Sequence, residues 1–387
     1  MAMGINIMSR LPEVGTSIFS VMSKMALEEG AINLSQGFPD FTIDDNLINM
    51  VHRYMLEGNN QYAPMPGTTA LRNVLKDIIR ETYGHSVDPE TEITVTAGAT
   101  EALFSVIAAF VSAGDEVIVF DPSYDSYDPA IRLNGGIPVH INLMYPSFSI
   151  DWDLVRSRIT PRTRMIMINT PHNPCGSVLS ADDMQTLQNL AEQHNLLVLS
   201  DEVYERLVYD GVEHQSVLRF PALAARSLAV FSFGKTFHAT GWKVGYLVGP
   251  EQLMREVRKT HQFIVFSVNT PVQLALADYL HDSGHYRRLG SFYQQKRDFF
   301  LKQLQSSAFE PLPSYGSYFQ LLSYRKLSDK TDVEVAEALT RKFKVAAIPV
   351  SVFYKDKTDN RLLRFCFAKK EETLEKAGAI LREVTAI

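Results

Sequence analysis

The segment "SFGKTFHATGWKVGY", Ser232–Tyr246, sets Lys235 just past the apolar run "SLAVF", where a buried strand would end. Removing an unpaired ammonium from water is expensive, so a lysine at the edge of a core needs a reason to be there. Other apolar runs also end in polar residues. "EITVT" leads through Ala97 and Gly98 to Ala99 and Thr100 at the start of a helix, where free amides and the helix dipole favour a phosphate. "VIVF" ends before Asp121 and Tyr124, "MIMIN" before Asn173, "LLVLS" before Asp201 and Tyr204, and "LAVF" before Ser232 and Lys235. Taken singly these are a helix cap, a packing aromatic, a turn-former and a solvated lysine. Taken in order, they bring an anion site, an aromatic ring, an amide, a carboxylate, a phenol and an amine to the carboxyl ends of successive strands, where open α/β sheets bind ligands.

The elements that must position this rim follow from hydrophobic patterning. The runs are short, rich in Val, Ile, Leu and Phe, and read as strands buried on both faces. Helical periodicity fills the intervals, including Glu101 to Val111, "DLVRSRI" and Ala181 to His194, the last capped by Ser180. Strand and helix alternate from about Thr91 to Phe237, which predicts an α/β fold with a mostly parallel sheet and helices on both faces. From about Pro271 the texture changes to long helical periods followed by "SYFQLLS" and "RLLRFCFA". Residues 41–270 are therefore expected to form a large domain, and residues 1–40 with 271–387 a smaller α+β domain. "KDKTDNR" reads as an exposed turn.

At 387 residues, with 45% hydrophobic and 21% charged residues, the chain has the composition of a folded globular protein of two or three domains. A net charge of -6 provides no global field for nucleic acid or an anionic membrane. Cys175 and Cys366 belong to no metal-ligand spacing and read as reduced thiols. No run approaches the about 20 apolar residues of a membrane helix, and the start "MAMGINIMSRLPEVG" has no secretory pattern, so a cytoplasmic enzyme without a metal is expected.

No strand is followed by G-x-G-x-x-G with a downstream acid, and there is no G-x-x-x-x-G-K-[ST] loop, which disfavours nicotinamide and nucleotide chemistry. Pyridoxal phosphate requires the set on the rim: an amine, a carboxylate opposite the pyridine nitrogen, and a phosphate pocket. On that reading Lys235 supplies the amine and Asp201 faces the ring nitrogen. Tyr204 and Asn173 bond the phenolic oxygen, and Tyr124 stacks on the ring. Ser232, Lys243 and the amides of Ala99 and Thr100 hold the phosphate.

Over nearly its full length the chain resembles the class I/II pyridoxal-phosphate aminotransferases of fold type I, through "SQGFPDF", "YAPMPGTTALR", "TAGATEAL", "DPSYDSY", "NTPHNPCG", "SDEVYERLVYDG", "SFGKTFHATGWKVGY" and "LLRFCFAKK". It looks most similar to the branch of methionine, glutamine and kynurenine aminotransferases. The resemblance implies a large, mostly parallel seven-stranded-type sheet domain beside a smaller one. It assigns Lys235 as the Schiff-base lysine, with Asp201 and Tyr204 as its catalytic partners. It makes Arg364 the grip for the substrate carboxylate, with Gly37 and Asn173 completing the substrate site. Tyr62 matches a tyrosine that reaches the cofactor phosphate of a neighbouring subunit, which implies a homodimer with shared active sites. The implied activity is ping-pong transfer of an amino group from an L-amino acid, methionine and aromatic amino acids preferred, to a 2-oxo acid. A cysteine-conjugate or cystathionine β-lyase, and a non-catalytic ligand sensor on the same fold, are the competing readings. Phe19 and Phe38 suit an apolar substrate side chain, while His172 and His238 read as hydrogen-bonding loop residues.

Overall fold

Alternate residues of each central strand enter different cores, as the strand period demands. Val117 and Val119, Met165 and Met167 pack on one face of the large sheet, whereas Ile118 and Phe120, Ile166 and Ile168 pack on the other. In the computed structural model, which describes residues 8–387, the strands form three sheets. After a two-residue lead-in, β1 (Ile32–Asn33), the large sheet is built from β2 (Ile93–Thr96), β3 (Glu116–Asp121), β4 (Ile137–Asn142), β5 (Thr163–Asn169), β6 (Leu197–Asp201), β7 (Ser227–Ser232) and β8 (Gly245–Val248). Its order is β2-β8-β7-β6-β5-β3-β4. The pairs from β7 through β4 are parallel, and only β8 runs against its neighbours. The five expected strands are all present, as β2, β3, β5, β6 and β7. The two unexpected ones are β4, an edge strand carrying Pro138 and an exposed Ile137, and β8, hidden in the glycine-bearing stretch read for its lysines.

The helix Ala99–Phe110 covers one face with Leu103, Val106 and Ile107, joined by Met254 and Val257 from the helix Glu251–Ile264. The helix Ala181–Gln193 covers the other with Met184, Leu187 and Leu190. Ser180 caps it as expected and forms a reciprocal capping box with Asp183.

The remaining chain adds β9 (Glu310–Pro311), β10 (Phe319–Ser323), β11 (Val345–Ala346), β12 (Ile348–Pro349) and β13 (Leu362–Cys366). Four of these make an antiparallel sheet, β12-β13-β10-β9, and β11 pairs in parallel with β1. The N-terminal segment is thereby joined to the C-terminal part, although its first seven residues lie outside those described.

A polar cluster ties the two sheets together where β3 and β4 end. Asp121, fully buried, accepts the Lys355 backbone N–H at 2.8 Å and faces His140 Nδ1 at 2.9 Å, while His140 Nε2 lies 2.9 Å from Asp128. Both ring nitrogens therefore point at carboxylates. Burial opposes a charge on this ring, but the bonds to Asp121 and Asp128 outweigh it and push its pKa up to about 9. Ser123 N–H donates to the Phe353 carbonyl and Asn142 to Asp356, so the exposed turn read from "KDKTDNR" is anchored at its base.

Candidate active site

The carboxyl ends of β2, β5, β6 and β7 open onto one cavity of about 460 Å³. Lys235, Asp201, Tyr204, Ala99, Thr100, Tyr124, Asn173, Ser232, Lys243, Gly37 and Arg364 all line it. Tyr62 does not: it is 82% exposed and packs edge-to-face on Phe266 at 5.2 Å.

One end of the cavity is built for an anion. Gly98, at φ +79°, starts the helix Ala99–Phe110 with no side-chain cap, leaving the first amides free to bind a ligand. A Cβ at Gly98 would sit 3.4 Å from Lys243 Nζ, and one at Gly245 would lie 3.2 Å from the Ala99 nitrogen. Glycine is needed at Gly98 for its positive φ, and at Gly245 because a Cβ there would also come within 2.5 Å of the Phe231 carbonyl. Glu101 braces the turn from behind, accepting the Ala97 N–H at 3.0 Å while meeting His261 Nδ1 at 3.0 Å.

At the middle, Asp201 is almost fully buried and accepts the Tyr127 hydroxyl at 2.6 Å. Burial raises its pKa to about 6 against the bonds from Tyr127 and Val203. A carboxylate kept in this state is stabilised by a cationic partner, as a protonated ring nitrogen would be. Tyr124 meets Tyr127 edge-on at 5.7 Å, and its phenol is pushed up by burial.

Lys235 Nζ faces the cavity 2.9 Å from the Tyr318 hydroxyl and 3.4 Å from the Gly37 carbonyl. Its surface is partly accessible through the cavity, yet protein surrounds it, and burial lowers its pKa to about 8, with Arg364 and Lys243 also disfavouring its charge. A lysine so depressed is an amine for a larger fraction of the time at neutral pH. Burial also raises Tyr204 far above the ordinary phenol range.

At the far end, Arg364 is 1% exposed. It donates to Asn173 Oδ1 and to the Ser35 carbonyl, each at 2.9 Å, and its Nε has no partner. Rings of Phe319, Phe19 and Phe353 surround it, with centroids 3.9, 5.1 and 5.6 Å from the guanidinium carbon. Burial lowers its pKa to about 10, still leaving it charged at neutral pH. Such a group can receive a carboxylate. Phe19 and Phe38 line the same cavity. His172 and His238 do not, and burial lowers both to about 4.

Tyr127, Tyr318, Asn169 and Glu101 were not singled out in the sequence. Tyr127 stands three residues after Tyr124 in "DPSYDSY", across a turn closed by its N–H on the Tyr124 carbonyl, and the repeated tyrosine was a usable signal. Asn169 ends β5 and bonds both the Asp201 carbonyl and the Asn173 N–H, a role that the strand-end pattern already pointed toward.

The donor set fits pyridoxal phosphate: a buried lysine amine, a carboxylate opposite it, a cation with free helix amides, and an orphaned guanidinium nitrogen in one cavity. A family model for aminotransferase class I and II matches residues 29–381. The chain is similar to the Escherichia coli methionine aminotransferase, 49% identical over 97% of this chain and 98% of that one. It is also similar to human kynurenine–oxoglutarate transaminase 1, at 34% over 93% and 94%. Its fold matches the solved N-succinyldiaminopimelate aminotransferase of Mycobacterium tuberculosis with a TM-score of 0.94 at 37% identity, covering 98% of this chain and 100% of that one.

Proposed function

This chain belongs to the class I and II aminotransferases, a family that uses pyridoxal phosphate, and we propose that it takes the amino group of methionine or an aromatic amino acid and delivers it to a 2-oxo acid. The observation that carries this reading is Arg364: a buried guanidinium with an unpartnered Nε and only neutral hydrogen-bond partners, in the same cavity as Lys235. The similarity to a methionine aminotransferase, and the aromatic surroundings supplied by Phe19 and Phe38, favour an apolar donor side chain.

Lys235 would hold the cofactor through Nζ, with Asp201 at its ring nitrogen, Tyr204 and Asn173 at its phenolic oxygen and Tyr124 on its face. Ala99, Thr100, Ser232 and Lys243 would hold its phosphate. When bound, the cofactor supplies an electron sink for the charge that develops at the substrate Cα. Arg364 grips the substrate carboxylate with two donors, and the Gly37 backbone closes over the same end. The grip fixes the substrate so that its Cα–H faces Lys235 Nζ, which as a neutral amine accepts the proton and later returns it. Asp201, charged and braced by Tyr127, keeps the ring-nitrogen end of the cavity anionic throughout.

The family is generally dimeric, and the exposure of Tyr62, which packs against the half-exposed Phe266, supports a role for it toward a second copy of this chain. In a homodimer Tyr62 would reach the phosphate end of the neighbouring cavity. Two unpaired cysteines, Cys175 and Cys366, both buried, fit a reducing cytoplasm.

A half-reaction screen tests the reading. Cofactor-loaded protein is mixed with each amino acid in the absence of a 2-oxo acid, and the loss of the lysine-bound cofactor absorbance is followed. Methionine and phenylalanine should react fastest; a preference for aspartate would refute the donor assignment.

A further inference from the structure

Lys235 Nζ donates to the Tyr318 hydroxyl at 2.9 Å, and the Tyr318 hydroxyl itself donates to the Gly37 carbonyl. A carbonyl only accepts, so it fixes the direction of the phenolic O–H and leaves the hydroxyl lone pairs for the lysine. Tyr318 is held firmly in this arrangement. Its side chain is fully buried, its ring meets Tyr204 edge-on at 5.1 Å and Phe319 at 4.9 Å, and its residue leads directly into β10. Burial keeps its phenol far above the ordinary range, so it remains a protonated hydroxyl.

We propose that Tyr318 is a positioning residue for Lys235: its hydroxyl, oriented by the Gly37 carbonyl, accepts a hydrogen bond from the Nζ N–H and aims the amine into the cavity. The proposal rests on reading Lys235 as the amine that exchanges the substrate Cα proton. A lysine on four flexible carbons loses much rotamer freedom when its amine is fixed, and a pre-set acceptor lowers the barrier to returning to one geometry. The charged and titratable groups facing Nζ are Arg364 and Lys243, which disfavour its proton, and Asp201 and Cys366, which favour it. Tyr204 is the remaining neighbour, its ring centroid 5.7 Å from Nζ. Against that background a neutral acceptor holds the proton without trapping it as an ion pair. The Gly37 carbonyl also belongs to the segment that lines the cavity through Gln36 and Phe38, so the lysine's position is set by the same backbone that borders the substrate.

Tyr318→Phe removes the hydroxyl and keeps the ring. In cofactor-free protein, labelling of Lys235 by trinitrobenzenesulfonate, read at its own peptide across pH, should show a midpoint lowered by about half a unit to one unit, as expected for losing one hydrogen bond to the charged form. In the loaded enzyme KM should stay within about two-fold, while kcat falls about ten-fold and the primary isotope effect of Cα-deuterated substrate rises. Tyr318→Leu, which also lacks the hydroxyl, should show the same midpoint shift and serves if the Phe variant does not fold. Either an unchanged midpoint or an unchanged isotope effect overturns the proposal. Its failure is distinct from failure of the functional reading, because the labelling midpoint is measured with no reaction taking place.

Discussion

Two of the cations within the body of this chain are treated in opposite ways. His140 is clamped between Asp121 and Asp128, each of which is bonded again, to the Lys355 backbone and to the Arg132 guanidinium. Arg364 meets only neutral acceptors and aromatic faces and leaves Nε open. The first cluster closes on itself and fastens one part of the fold to another. The second is incomplete as folded, and a buried charge in that condition is satisfied by what binds to it. On the proposed function, the contrast separates a cation kept for structure from one kept for a ligand.

The sharpest test lies on the open side. Lys235→Ala should abolish transfer by at least about ten-thousand-fold in single-turnover assays, with no loss of melting temperature because a desolvated amine has been removed. Next in size, Arg364→Met should lower kcat/KM by about a hundred- to a thousand-fold while leaving stability equal or higher. Arg364→Lys should not restore activity, since a point charge lacks the planar fork. The closed side should answer in reverse: His140→Gln should cost about 2–3 kcal/mol in urea denaturation, yet leave kcat of the folded protein within about two-fold. A large loss of activity without loss of stability in that variant would erase the distinction.

The smallest effect is a pH slope. His140 titrates at about 9 when folded and at about 6.5 when unfolded, so the folded state binds more protons between those values. Its stabilisation is complete below about pH 6.5 and is lost as pH rises to about 9. Lys235, lowered to about 8, gives the opposite slope between there and its unfolded value. Comparing His140→Gln with the native chain cancels the lysine and isolates the histidine: the variant's stability should fall less over that interval.

The parts of this architecture that were legible in the sequence are those set by local pattern. β3, β5, β6 and β7 are buried on both faces and could be read as uninterrupted apolar runs, and their ends marked Asp201 and Lys235. β4 escaped because an edge strand with Pro138 and a half-exposed face lacks that signature. β8 escaped because it is only four residues long and opens on Gly245, which packs against the Gly98–Ala99 backbone and interrupts the apolar run. At the site, groups at strand ends were visible, while those acting through another side chain were not. Tyr127 reaches Asp201 from inside a helix, and Tyr318 reaches Lys235 from the other sheet. His140 was invisible for the same reason: its meaning lies in two carboxylates and a backbone amide that only the fold brings together.

A Cβ placed on Gly37 would come within 2.8 Å of the Phe319 ring, the same ring that stacks 3.9 Å from the Arg364 guanidinium. Any side chain at position 37 would therefore displace the ring, and with it the arginine. For anyone wishing to retune the donor by directed evolution, residues 37 and 319 are a fixed frame. The positions left for a library are Ser20 and Ser23, which line the same cavity and are not among the hydrogen-bond or ring partners of Arg364.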